Sequence, residues 1–180
     1  MNRERPGLAR CVLAVVVVAV CCASARAQSG RTLFDFRSVA EFRAFRASPA
    51  HRVRVSPAAA STAEDKTALQ IDVTAGEGWP QVTAACPLAD LSPYSHLVME
   101  VRMQPFRETA AWGVQLIARD GTTAANAYLN GQVRDGQPHT VRIPLNKDGA
   151  AAAALKQVAT VRIYFRSPPE HCRLIVDNIR

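Results

Sequence analysis

Two stretches in the second half of the chain alternate so strictly that they leave little choice of conformation. Leu97, Met99, Val101 and Met103 are interleaved with Val98, Glu100 and Arg102; Trp112, Val114, Leu116 and Ala118 are interleaved with Gly113, Gln115, Ile117 and Arg119. A period of two sends successive side chains to opposite faces of an extended backbone, so each stretch predicts a strand with one side on a core. The same period recurs at residues 52–55, 68–73 and 81–86, and again at 122–129, 139–145, 160–166 and 173–179. Residues 32–36 read as a short opening strand. Asp120-Gly121, Asn130-Gly131 and Asp135-Gly136 supply residues that tolerate the positive φ of tight turns, and residues 76–80 have the Gly and Pro content of a surface loop. Residues 56–61, rich in Pro, Ala and Ser, also read as a loop.

Only two segments favour helix. Ser38 with Glu41 three residues later forms a capping box ahead of Val39, Phe42 and Phe45. Residues 150–158 are alanine-rich, with Asp148 as N-cap. Two short helices outside any βαβ rhythm, among about nine or ten regularly spaced strands, predict an all-β fold. The expectation is a two-sheet antiparallel β-sandwich, of which the jelly roll is the best single form.

The first residues set the compartment. Arg3, Arg5 and Arg10 precede an apolar run of about thirteen residues from Cys11 to Ala23, and Ala25-Arg26-Ala27 provides small residues where a signal peptidase cleaves. The run is shorter than the roughly 20 residues of a spanning helix, so residues 1–27 are expected to be a secretory signal and 28–180 a single sandwich domain without a membrane span. The mature chain is then secreted or periplasmic. Neither Cys21 nor Cys22 follows the small residue that a lipoprotein signal wants. Removing the signal takes four basic residues and one acid from a formal charge of +7, leaving +4 without a basic run, which gives no footprint for nucleic acid. Only Cys86 and Cys172 remain, and two cysteines in an oxidising compartment predict a disulfide. The alternative is two separate buried thiols, because a bridge needs Cα atoms within about 7 Å.

Catalytic signatures are missing from the sequence. His51, His96, His139 and His171 lack metal-ligand spacing, no serine occupies a Gly-x-Ser-x-Gly turn, and no glycine pattern matches a phosphate or dinucleotide loop. Paired carboxylates for glycoside cleavage can come from distant strands, but nothing selects a partner for Glu100.

Four segments resemble the galactose-binding-like jelly-roll modules of secreted carbohydrate-active proteins. Leu33-Phe34-Asp35-Phe36 with its following helix resembles the opening strand, and the Asp90-Leu91-Ser92-Pro93 turn into Leu97–Val101 the lead-in to a central strand. Gly136-Gln137-Pro138 leading to Pro144-Leu145 resembles the glycine-turn strand, with His139 where an aromatic is common. Leu174 to Ile179 resembles the closing strand. The resemblance implies non-catalytic binding of a polysaccharide or other glycan through a sheet face or end loops. It also implies a structural calcium near the paired terminal strands, with Asp35 and Asp177 as candidate ligands; a calcium shell takes about six to eight oxygens, of which two carboxylates define only part.

Sugar rings present apolar C–H faces, so their sites combine exposed aromatic rings with hydrogen-bonding side chains. Trp79, in the Gly- and Pro-rich loop, reads equally as a platform or as a lid over the core; Trp112 is in phase with Val114 and Leu116 and belongs to the core. Tyr128 and Tyr164 are better placed, Tyr164 alternating opposite to Val161, Ile163 and Phe165. Glu100, Gln115 and Arg162 lie on non-core registers with Arg102, Arg119, Arg142 and Arg166, a set able to hydrogen-bond hydroxyls and suited by its arginines to an acidic polysaccharide. The plainer reading of that set is the solvated face of an antiparallel sheet. A second functional reading, an interaction or structural domain with a protein partner in the cell envelope, rests on the arginine-dominated face. A small hydrolase comes third.

Overall fold

Ten strands form two antiparallel five-stranded sheets in a computed structural model that describes residues 30–59, 67–104, 111–129, 133 and 136–180. The strands are β1 (Arg46–Ser48), β2 (Val53–Ala58), β3 (Ala68–Val73), β4 (Gln81–Ala85), β5 (His96–Gln104), β6 (Ala111–Ala118), β7 (Thr123–Tyr128), β8 (His139–Pro144), β9 (Val158–Arg166) and β10 (Cys172–Asp177). One sheet runs β1-β4-β9-β6-β7 and the other β2-β3-β10-β5-β8, so the expected antiparallel sandwich is what the chain forms. The predicted signal at residues 1–27 and the Asn130-Gly131 and Asp135 turn residues lie outside the described residues. No helix among the described residues is long and apolar enough to cross a membrane.

Alternation dictates the core. Leu69, Ile71, Met99, Val101, Leu174 and Val176 from one sheet meet Val82, Trp112, Val114, Leu116, Val161 and Ile163 from the other, all essentially inaccessible to solvent. Burying one such side chain contributes about 1.5–3 kcal/mol. Four phenylalanines close one end: Phe34 packs on Phe45 at 5.0 Å between ring centres, and Phe36 on Phe42 at 5.8 Å. The capping box forms as read, with Ser38 Oγ accepting from the Glu41 N–H ahead of the helix α1 (Val39–Ala44).

Local departures from the sequence reading have local causes. Residues 32–36 do not form a strand but make one bridge, Phe34 to Ile179, because Phe36 turns to a φ of 54° and ends the extension. β1 went unread because three residues are too few to show a period. β2 continues through Ser56-Pro57-Ala58, whose composition predicts a loop; β2 is an edge strand, where a proline's missing N–H costs no ladder bond. The alanine-rich helix α2 (Gly149–Ala154) continues as a 3-10 turn over Leu155–Gln157 and stops there, since Val158 already pairs with Ala118. Asp148 takes the extended N-cap conformation without a side-chain cap bond.

The disulfide is corrected: Cys86 and Cys172 are free thiols. Cys86 follows β4 and bonds through its N–H to the Ala159 carbonyl, at the start of β9. Cys172 opens β10 in the other sheet, just after β9 has ended. At about 3.3 Å per residue, β9 alone separates the two by roughly 20 Å, far beyond bridging distance. Burial pushes both thiols up, Cys172 to about 11 with the Glu170 and Asp72 charges adding to it. Mass spectrometry of the unreduced protein is expected to show both thiol hydrogens, with alkylation slow until denaturant is added; a mass two hydrogens lighter would contradict this geometry.

Candidate functional site

Strand register assembles a row of rings on the outer face of the β1-β4-β9-β6-β7 sheet. Tyr128 on β7 pairs with Gly113 on β6, Gly113 with Tyr164 on β9, and Tyr164 with Gln81 on β4. These positions alternate with the core residues, so all four face outward. Trp79, two residues before Gln81, leans onto the row with its ring centre 5.8 Å from that of Tyr164, and Tyr128 stands edge-on to Tyr164 at 5.9 Å. Each such pair contributes about 0.5–1.5 kcal/mol beyond its buried area.

Tyr164 points away from the core as its register predicts, yet it is only 3% exposed, because the neighbouring rings cover it. Trp79 and Tyr128 are 53% and 54% exposed. Tyr164 is therefore the floor of an aromatic strip whose contact surface is Trp79 and Tyr128. Its hydroxyl donates to Asn126 Oδ1 at 3.0 Å. Burial, with Tyr128 adding to it, pushes the Tyr164 phenol up to about 12, so it remains a neutral donor across the physiological range.

Gly113 is required beneath that ring. A Cβ there would lie 2.4 Å from the Tyr164 hydroxyl and 2.5 Å from the Ala127 carbonyl oxygen, closer than a methyl carbon can approach either. On the Trp79 side, Arg52 ties down the loop: its guanidinium donates to the carbonyls of Thr74 at 3.1 Å, Gly76 at 2.8 Å and Glu77. Ser167 secures the same loop from the end of β9, its N–H donating to the Gly78 carbonyl at 2.8 Å. The Arg166 guanidinium sits 5.8 Å from the Trp79 ring centre, in cation–π range.

Beside the rings runs a polar row, Asn126–Gln115–Arg162–Thr83, set by the same pairings. Arg162 donates to Gln115 Oε1 at 3.1 Å, which orients the amide and leaves its NH2 group to face a ligand. Of the sequence-predicted residues, Trp79, Tyr128, Tyr164, Gln115 and Arg162 thus converge on one face. Glu100 does not. It lies on the outer face of the other sheet, where it pairs with Arg180 at 3.5 Å; a second pair on that face, Arg173 with Asp72 at 2.7 Å, lies further along the strands. Sequence reasoning missed Gly113, Asn126 and Arg52. An isolated glycine inside an alternating strand signals close approach, and Asn126 shares the Tyr128 register; nothing in the sequence marks Arg52.

The candidate calcium ligands are placed differently from one another. Asp35 receives the Arg37 N–H at 3.2 Å and faces its guanidinium at 3.6 Å, whereas Asp177 is buried beside β5, opposite Glu100. Among the described residues no group of three or more His, Cys, Asp or Glu is arranged to hold a metal.

No protein-family model matches the sequence, and no curated protein matches it. Solved structures match in fold, and the fold is the jelly roll of carbohydrate-binding modules. The chain is similar to a family 30 carbohydrate-binding module of a cellulosomal cellulase of Clostridium thermocellum, with 14% identity and a TM-score of 0.63 over 82% of this chain and 94% of that one. It is also similar to a family 11 carbohydrate-binding module from Clostridium thermocellum in complex with a β-1,3-1,4-mixed-linked tetrasaccharide, with 13% identity and a TM-score of 0.58 over 83% and 92%. An exo-β-agarase matches with a TM-score of 0.63 and 11% identity over 84% of this chain, which spans only 25% of the agarase's own length. Both of these carbohydrate-binding modules are matched over nearly their full length.

Two outcomes follow from the floor of the strip. Gly113→Ala should cost about 1–3 kcal/mol in chemical denaturation, the range for overpacking, and should displace Tyr164. Because the folded phenol sits above its ordinary value of 10.0, the stability it contributes is whole below that pH and is lost as pH rises through about 12. An alkaline absorbance titration should therefore show one late phenol ionisation coincident with unfolding and missing in Tyr164→Phe; ionisation of every tyrosine in the ordinary range would contradict it.

Proposed function

We propose that this chain is a secreted or periplasmic, non-catalytic module that binds a glycan across the outer face of the β1-β4-β9-β6-β7 sheet. The observation that carries the reading is the Trp79–Tyr164–Tyr128 strip with its parallel row of amide, hydroxyl and guanidinium groups. The exposed rings of Trp79 and Tyr128 offer platforms for the C–H faces of successive sugars, while Gln115, Arg162 and Asn126 lie where ring hydroxyls would project. The face is open and extended, which suits a polymer lying along it rather than a small molecule enclosed in a cavity. Its strand positions carry aromatic, amide, hydroxyl and guanidinium groups, a binding chemistry, whereas glycoside cleavage works through a pair of carboxylates. The likeness in fold to carbohydrate-binding modules supports the same reading, as does the signal-like segment at residues 1–27.

Affinity electrophoresis against a panel of neutral and acidic polysaccharides tests it. Trp79→Ala and Tyr128→Ala should each weaken binding at least roughly tenfold, about 1.4 kcal/mol, while remaining folded; Glu100→Ala, on the other sheet, should bind as wild type. Retention by no glycan would move the assignment to a protein-interaction domain of the envelope. Retention that survives both aromatic substitutions would place the site elsewhere.

A further inference from the structure

At the end of the sandwich that carries the Trp79 loop, a cleft of about 460 Å³ opens on the other sheet, between the starts of β2 and β10 and the end of β3. His51, Arg52, Arg54, Asp72, His171 and Arg173 line it, so three guanidiniums and two imidazoles surround one carboxylate. Register explains the arrangement: Asp72 on β3 lies directly between Arg54 on β2 and Arg173 on β10.

The single carboxylate is already engaged. Asp72 accepts from Arg173 Nε at 2.7 Å and from the Gln70 amide at 2.6 Å. Arg52 is committed to the carbonyls of the Trp79 loop. Arg54, His51 and His171 are exposed, and among the described residues their side chains make no hydrogen bond or ion pair. Arg173, which lines the cleft, uses Nε on Asp72, and the terminal nitrogens of its guanidinium are not used in that bond. The void is therefore ringed by N–H donors of net positive charge, and the one carboxylate among them already accepts a hydrogen bond on each oxygen, an environment that favours an oxyanion; guanidiniums hold sulfate and carboxylate with paired hydrogen bonds. Elsewhere on this face Glu100 and Arg180 balance each other, while Arg142 on β8 lies apart from the cleft.

We propose that this cleft is an anion subsite that takes the sulfate or carboxylate group of an acidic glycan. The anion chemistry stands on the cleft itself; the identity of the ligand as a glycan rests on the function proposed above. Arg52 joins the two regions physically, because it forms a wall of the cleft and also holds the loop that presents Trp79.

The test compares retention by a neutral mixed-linked β-glucan, a sulfated galactan and polygalacturonate, using wild type, Arg54→Ala, His171→Ala, Trp79→Ala and, as a control for overall charge, Arg142→Ala on β8. Wild type should hold one acidic polymer about tenfold more tightly than the neutral one, a difference of about 1.4 kcal/mol. Arg54→Ala and His171→Ala should remove that preference while keeping the melting temperature and any neutral binding, and Arg142→Ala should keep it. Which acidic polymer is preferred distinguishes sulfate from carboxylate. Equal retention by Arg54→Ala and wild type, or an equal loss in Arg142→Ala, overturns the subsite. Neutral binding without acidic preference overturns the subsite alone, whereas retention by no polymer overturns the glycan reading with it.

Discussion

The ladder between β6 and β9 is the joint on which both the core and the binding face depend. Its pairs run from Ala111 with Arg166 to Ala118 with Val158. Toward the interior it sends Trp112, Val114, Leu116, Val161, Ile163 and Phe165, none more than 1% exposed. Toward the outside it sends Gly113, Gln115, Arg162 and Tyr164. A slip of one residue would exchange the two sets and place apolar side chains in water. The free energy that buries the core thus also fixes which side chains meet on the outer face.

The two outer faces differ in how they satisfy their polar groups. On the β2-β3-β10-β5-β8 sheet, charges meet opposite charges, Asp72 with Arg173 and Glu100 with Arg180, and exposed pairs of this kind contribute little to stability. On the other sheet, aromatic rings pack tilted and edge-on against one another, and Arg162 bonds the Gln115 amide beside them. A folded protein gains little by keeping Trp79 and Tyr128 half in water. Their exposure beside a buried, neutral Tyr164 is the feature that most separates this face from an ordinary solvated surface.

Arg119, Arg142 and Glu100 show where pattern reading stops. Period two sorts residues into core and non-core sides of each strand, and there it was right for Tyr164, Gln115, Arg162 and Glu100 alike. It does not say which sheet a strand joins, and β5 and β6, adjacent in sequence, belong to different sheets. The polar set that shares one register in the sequence is therefore divided between two faces. The cysteine pair fails for the same reason: Cys86 and Cys172 each sit at a strand end, but at opposite ends of the sandwich and in different sheets.

The sequence by itself determined the longer strands, the capping box of α1, the apolar face of each of those strands and the aromatic residues able to bind, because these follow from local dihedral preferences and alternation. Only the tertiary structure decided that Trp79, Tyr164 and Tyr128 form one strip, that Gly113 makes room for it, that Arg52 holds its loop, and that Arg54, His51 and His171 converge on a cleft. Those relations join residues far apart in the chain, and they are set by cross-strand register and by the packing of one sheet on the other, neither of which leaves a period in the sequence.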